Sequence, residues 1–484
     1  MRKVIVLGAG ISGLATAVKL KELMPGSDIG VWEKSIRPGG VFRTVERNGF
    51  QFEQSVDNFI TTVPWGLQLC EKLRLSDRLV RTSNRDRRTY VARKGRLYPL
   101  PDGFMMLAPT KLWPMVTTPL LSPFGKMRAG MELFVPKLRD GRDETIAEFA
   151  RRRLGCEVFD RIVEPLLSGI YAGDAEKISL LATLPRFRDM EMKDRSLIVA
   201  MTKGQRAAKK MKREEESGAR YSLFMTLRDG LSTMASRCAE SLPPGTLHLN
   251  REVARVDRIK GTPHALDRWR VTDASGNAEE ADALVCALPS RGTAPLFAES
   301  APDVARYYGG MEHSSCAVVT FAFREEQIKR NFKGMGFVVP TKEKGSIIAG
   351  SFSSHKYPHR APEGYSLIRI FVGGARAPEI VELTEDALRD RVLEEARPLL
   401  GAEGNPEDAE VSKWPHGMPQ YHMGHLDRLA ALNASLSRDP TLAVCGNSFT
   451  GVGVPNCIKT GWDAAEKIAT AFADEPLVNV HAVK

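Results

Sequence analysis

No uninterrupted apolar run in the 484 residues approaches the roughly 20 that a membrane-spanning helix needs, so no spanning helix is expected. Cysteine is scarce and unpatterned. Cys70, Cys156, Cys238, Cys286, Cys316, Cys445 and Cys457 are odd in number and never spaced as CxxC, which argues against a disulfide framework and a zinc site. Reduced thiols and no metal are the expectation. Aromatics make up only 7% and no recognition-helix or finger spacing occurs, so nucleic acid is not an expected partner. Only Met1-Arg2-Lys3 precedes the first apolar strand; no leader is expected and the reading is cytoplasmic. Repeats and low-complexity tracts are absent. Hydrophobic content of 43% and charged content of 26% exclude the disordered and collagen-like classes. One imbalance remains: a net charge of +10 favours an anionic partner, such as acidic lipid or a carboxylate-bearing substrate.

The chemistry-bearing signal comes first in the chain. "VIVLGAGISGLATAVKL" sets Gly8, Gly10 and Gly13 as GxGxxG between a β-branched strand and a helix. The first glycine permits the tight turn, the second lets backbone approach a pyrophosphate, and the third lets helix pack on strand. Free N–H groups at the helix start then hold the anion. Glu33, at the end of the second strand "DIGVWEK", stands where an acid accepts from a ribose 2′-OH and repels a 2′-phosphate. These features predict a bound dinucleotide without that extra phosphate.

Two further stretches favour FAD over NAD. "EKSIRPGGVFRT" places a second glycine pair just after the acid, with Arg43 in reach of the pyrophosphate. "CGNSFTGVGVPNCIKTGWDAAEKIA" supplies another glycine-rich turn into a helix, whose N-terminus stabilises negative charge on a reduced flavin. Nucleotide-facing turns at opposite ends of the chain suit a long ligand with its chemistry at one end.

The predicted fold class is α/β: a Rossmann-like FAD-binding domain, a discontinuous substrate domain of antiparallel sheet plus helices, and a helical insertion. The expected boundaries are 1–75, 221–292 and 426–476 for FAD binding, 86–220 for the helical insertion, and 76–85 with 293–425 for substrate. Within the insertion, Ile146 to Leu167 carries apolar residues at helical spacing. "FMMLAPTKLWPMVTTPLLSPF", Phe104 to Phe124, is apolar but broken by four prolines; bilayer contact and an internal wall both remain open. Lys203, Arg206, Lys209, Lys210, Lys212 and Arg213 form a basic run that suits anionic lipid or simply a solvated helix face.

Together, "GAGISGLATA", "EKSIRPGGVFRT", "EPLLSGIYAGDAEKISLLATLPRF", "KWPHGMPQYHMGH" and "GVGVPNCIKTGWDAA" resemble the protoporphyrinogen and coproporphyrinogen oxidase family of FAD-dependent amine oxidase-like flavoproteins. The first two motifs are shared by the whole superfamily, while "SGIYAGD" beside a Glu-Pro pair is far more specific. The resemblance runs from residue 4 to about 470 and implies non-covalent FAD. It also implies six-electron oxidation of a porphyrinogen to its porphyrin in heme biosynthesis, with O2 or another acceptor. FAD contacts implied by position are Gly8, Ala9, Gly10, Ile11, Ser12, Gly13, Glu33, Lys34, Gly40, Val41, Arg43, Ser55, Val56, Asp57, Asn58, Val253, Trp414, Val452, Gly453 and Val454. On the substrate side the family's propionate-holding base falls on Arg88, or on Arg87 if the gap lies one place over. Gly169, Met335, Val338 and Phe371 become pocket walls. No catalytic residue is identified, and His425 reads as readily as a structural turn.

Protoporphyrinogen IX is the favoured substrate on the apolar Phe104 to Phe124 stretch, with coproporphyrinogen III the alternative on the basic balance. An amine oxidase or a carotenoid desaturase is a rival within the superfamily. From another class, a non-catalytic flavoprotein would use its basic surface to bind a membrane or a partner. Peripheral contact with the inner face of the cell membrane and a homodimer are left open.

Overall fold

The computed structural model describes residues 1–83, 88–138, 140–214, 223–262, 265–330, 332 and 334–473. The opening "KVIVL" is buried on both faces, as a strand inside a covered parallel sheet must be. It forms Lys3–Leu7, the centre of a five-stranded parallel sheet. The spatial order is Leu247–His248, Asp28–Trp32, Lys3–Leu7, Ala283–Cys286 and Leu442–Val444. Segments from the start, middle and end of the chain thus meet in one layer, as the discontinuous reading expects.

Helices Ile11–Leu23 and Val454–Ala473 pack on this sheet and on each other. Their contact needs bare backbone: a Cβ on Gly13 would strike the Gly8 carbonyl, and one on Gly461 the Ser12 carbonyl. Thr16 Oγ1 donates to Gly461 O at 3.0 Å and Lys19 pairs with Glu466 at 3.3 Å. Rising numbers match rising numbers, so the helices run parallel and their N-termini lie at the same sheet edge.

A seven-stranded sheet forms the second layer. Its order is Asp408–Pro419, His313–Arg324, Tyr365–Gly373, Ile347–Phe352, Gly336–Val338, Thr89–Arg93 and Arg96–Pro99. All neighbours are antiparallel except Gly336–Val338 with Thr89–Arg93. Residues 89–99, placed with the helical insertion by sequence, are therefore two strands of this sheet; Tyr90 and Ala92 are buried on one face and Val91 on the other, so no alternation of buried and exposed positions marks them. One face, carrying Ala317, Val319, Phe321 and Phe323, closes over helix Glu385–Leu400. The opposite face packs at Val338, Ala349 and Phe371 on the helical region and at Ala322 and Leu367 on Phe50 and Phe52.

The insertion is helical from Ile146 onward, starting at a capping box between Thr145 and Glu148. The helical spacing read over Ile146 to Leu167 does not run through one unbroken helix. Gly155, at φ 90°, ends Ile146–Leu154, and the chain resumes at Cys156, passes a π turn at Phe159–Val163 and ends at Tyr171. Apolar periodicity carries across that break because both pieces bury their inner faces in one core. Phe104 to Phe124 divides residue by residue. Phe104, Leu107, Met115, Leu120 and Leu121 are buried, while Met105, Leu112, Trp113, Val116 and Phe124 are exposed. Of the basic run, Lys203 pairs with Asp194, Arg206 is exposed, and the side chains of Lys209, Lys210, Lys212 and Arg213 lie outside the described residues.

Candidate functional site

The glycine turn and the second glycine pair form one groove at the carboxyl edge of the parallel sheet. Gly39 N donates to Ala9 O at 2.7 Å, and Gly10 bridges Gly39. A Cβ built on Gly10 meets nothing within 4 Å, and one on Gly40 meets only Gly10 Cα at 3.4 Å. Space therefore opens at the very glycines expected to face a pyrophosphate, while Gly13 is closed against the strand. Gly10 caps helix Ile11–Leu23 without any side-chain hydrogen bond, leaving the first-turn N–H groups for an anion. These residues fit a dinucleotide.

Glu33 does more than face a ribose. Its buried carboxylate accepts from Ala9 N at 2.8 Å and Ser35 N at 2.9 Å, fastening the glycine turn to the end of the second strand. A carboxylate has room for further donors, so a ribose hydroxyl remains compatible. Arg251 N donates to Glu33 O at 2.8 Å and leads directly to Val253, which puts that residue beside the acid. Lys34, Val41 and Arg43 are exposed at the rim. The pair is braced by Arg37, which donates to the carbonyls of Pro38, Gly40 and Phe42 and was missed by the sequence reading.

From this groove a line of contacts runs to the larger sheet. Gln54 N donates to Arg43 O at 2.9 Å, and Trp414 Nε1 donates to Gln54 O at 2.9 Å. Arg369 donates to the next carbonyl, Ser55 O, and Arg360 Nη2 to Asp57 O at 2.7 Å. The loop Ser55–Asn58 is thus gripped from below by one indole and two buried guanidinium groups. Asp57 stands at the centre, with Arg369 at 3.1 Å, Arg360 at 3.4 Å and Lys356 at 3.7 Å. Burial works to raise its carboxyl, but the three cations outweigh burial and hold it well below the usual carboxylate range. Val452 and Gly453 precede the last helix and Val454 opens it, about two turns before Gly461, which meets Ser12 at the start of the first.

Of the predicted pocket walls, Gly169, Val338 and Phe371 come together on the sheet face that also carries Arg369. Val338 pairs with Ala349, Ala349 with Phe371 and Phe371 with Val318, giving one apolar row across four strands. Two residues along, Ser351 and Arg369 form the next row. Gly169 lies over the first row, its Cβ position 3.5 Å from Val338 Cγ1 and 3.6 Å from Ala349 Cβ. Met335 N donates to Arg88 O at 2.8 Å, so Arg88 adjoins Met335; the Arg88 side chain is exposed, and Arg87 lies outside the described residues.

"EPLLSGIYAGD" is what holds Gly169 there. Glu164 accepts from Thr341 N at 3.0 Å, Thr341 Oγ1 at 2.7 Å and Ser168 Oγ at 2.8 Å, tying the helix to the sheet. At the other end Ala172 adopts φ 48°, and its carbonyl accepts from Ala375 N at 2.9 Å. The motif clamps a helix against the wall and contributes no acid or base to it. His425 is structural: buried, it bonds Phe449 O through Nε2 at 2.8 Å and packs on Tyr421. Burial pushes the thiols of Cys70, Cys445 and Cys457 up to about 12, which removes them as nucleophiles.

The family described as "Flavin containing amine oxidoreductase" matches residues 11–469. Coproporphyrinogen III oxidase of Bacillus subtilis (strain 168) is 34% identical over 97% of this chain and 98% of its own. Coproporphyrinogen III oxidase of Staphylococcus aureus (strain NCTC 8325 / PS 47) is 31% identical over 96% and 99%. Among solved structures, a protein of Exiguobacterium sp. 255-15, provisionally described as a protoporphyrinogen oxidase, is 28% identical with a TM-score of 0.83 over 97% of this chain and 99% of its own.

Proposed function

The chain belongs to the porphyrinogen oxidases within the flavin containing amine oxidoreductases and is an FAD-dependent enzyme, and on that premise we propose that it oxidises coproporphyrinogen III to coproporphyrin III for heme biosynthesis. Bound FAD supplies a two-electron acceptor, which O2 or another acceptor then reoxidises. The carrying observation is the half-buried Phe371, which extends the row that Gly169 covers at Val338 and Ala349 and shares its sheet face with Arg369, an apolar wall for a macrocycle next to the loop Ser55–Asn58. In each of three two-electron steps a porphyrinogen held against it would give up one hydride from a meso carbon to bound FAD and one proton to water, six electrons in all. Orientation is the main contribution of these residues. Arg88, at the mouth beside Met335, holds a propionate.

Two considerations move the substrate from protoporphyrinogen IX to coproporphyrinogen III. The relatives above 30% identity carry the latter name, and a net charge of +10 suits four propionates better than two. Burial of half of Phe104 to Phe124 also weakens the ground for the more apolar substrate. Protoporphyrinogen IX stays as the second reading because of the 28% identical solved neighbour. Rates measured side by side with the two porphyrinogens decide it: the expected result is faster turnover of coproporphyrinogen III, and equal or reversed rates would reject the preference.

The exposed half of the stretch continues into further apolar side chains. Trp113 is 73% exposed, Phe124 78% and Phe134 75%, with Met127 and Met131 between them and Lys111 and Lys137 beside them. This surface rests peripherally on the inner membrane face, as no helix among the described residues is long and apolar enough to cross. Co-sedimentation with anionic vesicles is expected, and its persistence in Trp113→Ser/Phe124→Ser would reject this contact.

A further inference from the structure

We propose that the buried guanidinium groups of Arg360 and Arg369, with the half-buried Lys356 ammonium, around Asp57 beneath the loop Ser55–Asn58, stabilise the negative charge that bound flavin acquires on reduction. This rests on the reading of that loop and Trp414 as flavin contacts. A hydride carries two electrons and one proton, so its transfer from a substrate carbon leaves one negative charge on the acceptor until a second proton arrives. The substrate, short of a hydride, releases a pyrrole proton to water.

Three observations point to this role. First, the charges do not balance. Three basic side chains face two acids, Asp57 and Glu53, and the neighbouring Glu410 is committed to Arg47 at 2.6 Å and to Gln54. Glu53 is itself fully buried and accepts from Leu231 N and Thr44 Oγ1, while Arg360 stays 3.7 Å away; burial pushes its carboxyl up, toward the neutral form. With Asp57 ionised and Glu53 drawn toward its neutral form, the two guanidinium groups alone leave a positive charge uncompensated inside the protein, an expensive arrangement unless an anion arrives; burial draws the Lys356 ammonium below its usual range, with Asp57 opposing.

Second, hydrogen-bonding capacity is left over. The Nε atoms of Arg360 and Arg369 are buried without a partner among the described residues; those of Arg153 and Arg188 in the helical region are too, so this spare capacity adds to the charge imbalance and does not stand without it. Third, the cations are placed between the two predicted halves of the site. Arg369 reaches Ser55 O next to the carbonyl that Trp414 holds, and it stands one row from Phe371 on the same sheet face, its guanidinium 5.1 Å from that ring. A cation fixed there adds to the two helix N-termini that converge on the same sheet edge.

The test uses FAD-loaded protein and needs no porphyrinogen. Two quantities are read: the midpoint potential of the bound flavin, and the affinity of its oxidised form for sulfite, an anion that adds more tightly where positive charge lies near the ring. Lys356→Gln is expected to lower both equilibrium constants by about tenfold or more, a fall of about 30 mV for two electrons. Lys356→Arg, which keeps the charge, is expected to restore both. Should Lys356→Gln fail to fold, Asp57→Asn reads the same field with the opposite sign. An unchanged potential and sulfite affinity in Lys356→Gln, or an equal loss in Lys356→Arg, would overturn the proposal. Loaded enzyme that shows these shifts yet oxidises no porphyrinogen would instead sink the substrate reading.

Discussion

Two knots of buried charge occur in this protein, and their difference separates scaffold from site. In the helical region Glu132, Glu144 and Glu191 meet Arg152, Arg153 and Arg188, three acids against three bases. Each carboxylate takes at least one guanidinium, and Glu132 also accepts from Leu197 N at 2.8 Å. Beneath Ser55–Asn58 the materials are the same but the sum is not; unpartnered Nε atoms occur in both knots, on Arg153 and Arg188 as on Arg360 and Arg369, so the charge sum is what separates them. A balanced network joins helices. An unbalanced one, beside an open groove, waits for an anion.

The largest expected effect is a break in the balanced knot. Glu132→Ala strands Arg153, which is completely buried, and unfolding by urea should show a loss of about 3–5 kcal/mol. Glu132→Leu with Arg153→Met should regain most of that loss, because two well-packed apolar groups need no partner. Neither change should move the flavin potential, and a shift there would erase the distinction between the knots.

Asp57→Asn comes next and should act the other way round. It removes the anion that offsets three cations, so the flavin potential should rise by about 30 mV while stability falls. A fall in potential would show that the loop moved instead of the field changing.

The glycine turn, the second strand and Glu33 were legible because their partners lie within a single βαβ unit. Gly39 also reaches Ala9 in the same stretch of chain. Four of the seven strands, within "SSCAVVTFAF", "GFVVP", "GSIIAGSF" and "SLIRIFVGG", were legible as apolar antiparallel segments, whereas Val338, Phe371 and Gly169 entered only through resemblance, since apolar residues in strands look like any core. Lys356, Arg360 and Arg369 were not legible at all: their partner Asp57 is some 300 positions away. A trace existed in "SLIRIFVGG", where Arg369 interrupts an apolar strand between Ile368 and Ile370. Its pleat position, facing the site and not the core, becomes visible only with register. "SGIYAGD" pointed to the right family, but for an architectural reason that spacing does not reveal.

Acid should separate the knots more gently. Against burial, which works to raise it, Glu191 is held below its usual range by Arg152, Arg188 and Arg153, so its contribution to stability is full above the unfolded value near about 4 and is lost as pH falls through the folded value. Asp57 follows the same sign. Glu53 has the opposite one: raised by burial, it favours the fold at low pH and withdraws that contribution as pH rises. Acid unfolding of the helical region should therefore precede loss of the sheet domain, read by tryptophan fluorescence against flavin release. Simultaneous loss would reject the cancellation.

The smallest effect lies in three consecutive arginines. Arg151, Arg152 and Arg153 occupy one helix with side chains 37%, 26% and 0% exposed, and each pairs with a carboxylate. If pairing alone set their value, Arg151, with two hydrogen bonds to Glu176 and a position over the Phe159 ring, would rank with the others. Burial predicts otherwise, because solvent screens the outer pair and already satisfies its unpaired partner. Glu176→Gln should cost less than about 1 kcal/mol, and high salt should shrink that cost. The Arg153 knot should remain insensitive to salt. A large, salt-resistant loss at Glu176 would mean that the network extends to the surface, and the contrast between a sealed scaffold knot and an open functional one would have to be redrawn.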